Sequence, residues 1–166
     1  MWVRSEYAGE LAVLMTWLCG LTPWAITWIS DGDFNGIFFW FHPVNFLFTP
    51  GIELPGERPL WVWEFLGFAV FQNEVFVTYF WLLGTMLFGS AFVFSLVYYL
   101  DESRVESLRI DPIRVLGILL FASGISLGVA FSVLWQNHAG LTIPIGVVIQ
   151  LAFGAILLKT ERVDRP

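Results

Sequence analysis

His42 and His138 are the side chains of this chain best suited to chemistry. With Asp31, Asp33 or Glu53 they would offer the nitrogen and carboxylate ligands that divalent metals take. The spacing matches no ligand motif, so the sequence assigns no metal. HExxH, a glycine-rich phosphate loop and a nucleophile elbow are all missing. The expectation is therefore a protein without catalytic, cofactor or metal residues and not an enzyme. In an acidic chain the carboxylates read as a solvated surface. A haem held between helices would need histidine inside the apolar runs, and both histidines fall outside them.

Those runs are the elements that would have to position any site. Four stretches free of charge, 11–29, 75–100, 115–135 and 139–158, have the length a bilayer-crossing helix needs, about 20 residues. The chain is 57% hydrophobic and 13% charged, with a mean hydropathy of +0.74, well outside the balance of a soluble domain. The expected fold is a single all-α integral membrane domain over 1–166, with four transmembrane helices. The first run is longer than the apolar region of a signal peptide, and no A-x-A-like cleavage site follows, so it is read as a retained helix.

Sidedness follows from Lys and Arg, which concentrate on the cytoplasmic side. Arg4 precedes the first run, Arg104, Arg109 and Arg114 separate the second from the third, and Lys159, Arg162 and Arg165 follow the fourth. Both termini are expected in the cytoplasm of a multi-pass protein of the cell membrane, with Arg58 alone outside. Asp111 followed by Pro112 reads as an N-cap and first helical residue, starting the third helix there. Pro144 falls in the first turn of the fourth helix, whereas Pro23 should bend the first.

Lipid tails are as apolar as leucine, so close contact through small residues and interhelical hydrogen bonds must hold such helices together. Gly124, Gly128 and Ser132 recur every four residues in the third helix, and Gly146, Gln150 and Gly154 do so in the fourth. Counting from a turn near His138 puts Ser126 and Gln150 at one depth. These residues are expected to form a tight antiparallel pair, with Gln150 bonded to Ser126, to Ser123 or to a backbone carbonyl. A ligand-binding role for Gln150 is the alternative.

Between the first two runs, 31–74 carries the stretch FFWFHPVNFLFTPGIELPG, apolar yet broken by Pro43, Pro50 and Pro55 and too short to span. Two apolar blocks, 34–48 and 60–71, would expose a large Phe and Trp patch if left in water. They can lie in the outer interface, cap the open end of the bundle, or dip in and return; the cap is the leading reading. Leu60 to Phe71 reads as an interfacial helix. Trp40, Trp61 and Trp63 are the candidate anchors or partner contacts.

Acidic residues number 14 against 8 basic ones, and Lys159 is the only lysine. That balance suits molar salt, where the Debye length falls to about 3 Å and carboxylate repulsion costs little. It leaves no basic footprint for nucleic acid. Cys19, inside an apolar run, reads as a small buried hydrophobe.

The segments WVRSEYAGELAVLMTWLCGLTPW, YYLDESRVESLRIDPIRVLG and GLTIPIGVVIQLAFGAILL resemble a family of small haloarchaeal membrane proteins known as a domain of unknown function. The likeness covers most of the chain and is loosest around 34–48. It implies a four-helix protein of a halophilic archaeon and brings no activity or ligand. The functional expectation is a non-enzymatic accessory or assembly subunit of an envelope complex, contacting lipid and another membrane protein or itself. The alternative is a transporter or channel subunit handling a neutral or apolar solute. An enzyme with an extracytoplasmic site at His42 and His138 comes third.

Overall fold

The computed structural model describes residues 3–5, 7–31, 34–49, 59–64, 75–106, 111–137 and 140–162. In chain order the elements are β1 (Val3–Ser5), α1 (Ala8–Leu21), β2 (Ala25–Asp31), β3 (Phe34–Trp40), β4 (Val44–Phe48) and β5 (Leu60–Trp61). There follow α2 (Val75–Leu100), α3 (Glu102–Glu106), α4 (Pro112–Asn137), β6 (Leu141–Ile143), α5 (Ile145–Lys159) and β7 (Thr160–Arg162). Strands β5-β4-β3-β2-β6 form a five-stranded antiparallel sheet, and β1 pairs with β7 in parallel.

The fold is therefore not all-α. The first apolar run is half helix and half strand: α1 stops at Leu21, and Ala25–Asp31 is β2. Thr22 is extended, at φ −96° and ψ 127°, as the residue before a proline is driven to be, so Pro23 ends α1 instead of bending it. The following Ile, Thr and Trp residues favour a pleated surface. The fourth run is likewise split, with β6 at its head and Pro144 before α5. Among the described residues only α2 and α4 are long and apolar enough to cross a bilayer. With 14 and 15 residues, α1 and α5 reach only about 21 and 22 Å.

The block 34–48 is a hairpin of β3 and β4. The interfacial helix expected from Leu60 is replaced at its start by β5, paired to β4 through Val44↔Trp61 and Asn45↔Leu60; 65–71 lie outside the described residues.

Because β2 leaves α1 and β6 enters α5, the pairing of β2 with β6 sets the short helices side by side. The first amides of α5 find partners on the chain leaving α1: Gly146 N–H donates to the Pro23 carbonyl (3.1 Å) and Val147 N–H to that of Trp24 (3.3 Å). A Cβ on Gly146 would sit 2.5 Å from the Pro23 oxygen, so only glycine permits this approach. Inside the sheet the Trp40 indole donates to Thr27 Oγ1 (3.0 Å), which shares a buried hydrogen bond with Thr142 Oγ1 (3.0 Å).

The long helices flank this arrangement. Ser123 Oγ donates to the Gly84 carbonyl (2.9 Å) and Ser126 Oγ to that of Phe80 (2.7 Å), tying α4 to α2. Trp24, Trp40 and Trp81 meet in the core between sheet and helices, with ring centroids 5.3–6.1 Å apart. Elsewhere β1 pairs with β7, and Val13, Tyr98 and Val105 form a separate buried cluster. Asp111 caps α4 as its position before Pro112 requires, its Oδ1 accepting from the amides of Ile113 (3.0 Å) and Arg114 (3.3 Å).

Candidate functional site

The β3–β4 hairpin turns at Phe41, His42 and Pro43, and the turn is inserted among the helices. Its carbonyls are held from several sides. Phe41 O accepts from the indoles of Trp24 (3.2 Å) and Trp81 (3.1 Å), His42 O from the Thr85 hydroxyl, and Pro43 O from Val62 N–H (2.9 Å). Buried backbone carbonyls such as these need partners, and here protein supplies them.

This insertion carries His42 into the interior, where it is 2% exposed. Its ring stacks on Phe88 with centroids 3.8 Å apart, and its Nε2 lies 2.6 Å from Gln150 Nε2. With the Gln150 amide donating, Nε2 accepts and Nδ1 carries the proton; turning the amide over would exchange the roles. In either arrangement Nδ1 has no partner among the described residues, nor do Gln150 Oε1 as placed or Asn45 Nδ2.

Beside His42 lies a cavity of about 620 Å³ between α1 and α2. Trp17, Gly20 and Leu21 of α1 form one wall, and Thr85 through Leu96 of α2 the other. Its outer rim is exposed at Leu21, Phe92 and Leu96. From Thr85 to Leu96 the α2 wall runs about 16 Å at 1.5 Å per residue. The lining is apolar, and its few polar groups are mostly engaged: Thr85 Oγ1 with His42 O, and the Trp17 indole with Ser95 Oγ (3.2 Å). Among the described residues His42 is the lining side chain with a buried polar atom that has no partner. Gly89 borders open space in the groove, for a Cβ there would meet nothing within 4 Å.

The residues singled out from sequence fall in several places. Gln150 is fully buried but bonds His42, because the hairpin tip and not α4 supplies its partner; Ser123 and Ser126 bond α2 instead. Gly124 faces Gln150 and Leu151, Gly128 faces Val147, and Gly154 faces the Phe121 backbone. Gly146 packs on Pro23 and Trp24, and Ser132 bonds the Gly128 carbonyl of its own helix. Trp40 is buried in the core and so offers no surface anchor. Trp61 and Trp63 are exposed and stacked, 5.0 Å apart and 9° from parallel. His138, Asp33 and Glu53 lie outside the described residues, and His42 is not on an outer surface. Trp17, Thr85, Phe88 and Gly89 were not anticipated; inside a uniformly apolar run nothing marks which residues line a cavity.

The chain matches the model of a family of unknown function (DUF7549) over residues 1–162 and belongs to that family. No curated protein matches it.

Proposed function

We propose that this protein is embedded in a membrane and binds a small apolar or amphiphilic molecule in the groove between α1 and α2, admitting it sideways from the bilayer. The observation that carries the reading is the apolar groove of about 620 Å³ with the buried His42 among its lining residues. Such a cavity takes an uncharged ligand, since a charged group there would have no counter-charge.

Membrane placement is supported by α2 and α4, which present Phe76, Leu83, Met86, Val93, Val97, Ile118 and Ile125 outward. In this reading α2 and α4 cross the bilayer, and α1 and α5 enter from the cytoplasmic side. Sheet and hairpin occupy the depth those short helices leave. The Arg distribution supports termini in the cytoplasm, and the acidic, lysine-poor composition supports a halophilic source.

The test is native mass spectrometry of protein extracted from its own membranes at high salt. A reproducible adduct, lost in Gly89→Trp, is the expected result; identical spectra for both would overturn the reading. A second reading, an accessory subunit docking a membrane partner, is favoured by the exposed Trp61 and Trp63 stack. In that case Trp61→Ala with Trp63→Ala would release a co-purifying protein, and Gly89→Trp would not.

A further inference from the structure

The groove's chemistry is unequal along its length. Toward Phe92 and Leu96 its lining is hydrocarbon and aromatic, while at the hairpin end it reaches His42. With the Gln150 amide donating, as placed, that imidazole accepts at Nε2 and stacks its face on Phe88, and its Nδ1–H has no partner among the described residues. Among the described residues Gln150 Oε1 and Asn45 Nδ2 lack partners too, but of the three only His42 lines the groove. Buried polar groups are almost always satisfied, and one left over on a side chain that lines a cavity calls for a polar atom from elsewhere. Among the described residues the lining contains no Lys, Arg, Asp or Glu to accompany an ionic headgroup.

We infer that the ligand is an uncharged, chain-bearing carbonyl compound, its chain lying along α2 toward Leu96 and its carbonyl oxygen accepting a hydrogen bond from His42 Nδ1–H. This rests on the proposed binding role of the groove and adds to it a ligand class and an orientation. Nδ1 is closed to water, so the carbonyl reaches it as the surrounding side chains yield, and Phe88, which both stacks on the ring and lines the groove, is the nearest to move. Long-chain ketones and quinones have this chemistry. Phospholipids and fatty-acid anions do not.

The probes are a methyl ketone of about twelve carbons, matched to the groove's length of roughly 16 Å, the alkane of equal length and the corresponding alkyl phosphate. Each is titrated against the detergent-solubilised full chain, following thermal unfolding. The ketone should bind roughly fivefold to tenfold tighter than the alkane, the worth of one buried neutral hydrogen bond. The phosphate should bind least.

Because His42→Phe alone strands Gln150, the informative variant is His42→Phe with Gln150→Leu. It should keep alkane binding and lose the ketone preference. Gly89→Trp should bind neither. Equal binding of ketone and alkane by the wild type, or a ketone preference that survives the double substitution, overturns the ligand class while leaving the groove a binding site. Failure of every probe, with Gly89→Trp indistinguishable from wild type, overturns the groove itself. A dimer insensitive to all probes would do the same, with a second copy as the occupant.

Discussion

Gln150 in α5 and His42 at the tip of the β3–β4 hairpin are 108 positions apart, yet their side-chain nitrogens lie 2.6 Å from each other. This contact joins sheet to helices at the point where the groove ends. Replacing Gln150 by Leu leaves His42 Nε2 buried and unpaired and should lower stability by about 1–3 kcal/mol. Replacing both residues by apolar ones should cost less than the two single changes added together. Denaturation in detergent across the four proteins measures the coupling. Additive losses, or coupling of Gln150 to Ser126 instead, would contradict the contact.

Gly154 and Gly89 should respond oppositely to the same added methyl. At Gly154 a Cβ would lie 2.8 Å from the Phe121 nitrogen and 2.9 Å from its Cα. Backbone cannot rotate aside, so Gly154→Ala should destabilise by about 1–3 kcal/mol. At Gly89 nothing lies within 4 Å, and Ala there should be neutral or stabilising by up to about 1 kcal/mol through helix propensity. Melting temperatures of the two variants decide it.

Which parts of this were readable follows from what each residue's signal depends on. Asp111 and Pro112 act within one turn of chain, so the start of α4 is legible from two letters. α2 is legible as a long uninterrupted apolar run. Hydropathy cannot tell a buried strand from a helix, and that is why β2 and β6 vanish into apparent spans. Cues were present: Thr22–Pro23 breaks the first run, β-favouring residues follow, and Asp31-Gly32 is a hairpin signal between two apolar runs. Gln150 was marked by being polar in an apolar run; its partner was not, because His42 reaches it only through the hairpin's fold.

Asp111→Ala removes the acceptor for the Ile113 and Arg114 amides and the 3.2 Å ion pair with Arg114. The ion pair is exposed and adds little, so the loss should be that of an N-cap, about 0.5–2 kcal/mol. Asp111→Ser should recover most of it. Equal melting temperatures for Ala and Asp at this position would show that the cap is dispensable.

The proposed sidedness predicts that a reporter fused after Pro166 is active only in its cytoplasmic form, and that one inserted after Asp101 agrees with it. Both sites lie on the Arg-rich side. A reporter active outside at either site would reverse the orientation of the groove in the bilayer.

The most direct test of the central claim is photo-crosslinking in native-like vesicles with a long-chain ketone carrying a diazirine at its chain end, followed by peptide mapping. The account predicts labelling concentrated on Trp17, Phe92 and Leu96, competed by unlabelled ketone and abolished by Gly89→Trp. Labels spread evenly over the outward faces of α2 and α4, at residues such as Val93, Ile118 and Ile125, and unchanged by that substitution, would contradict it.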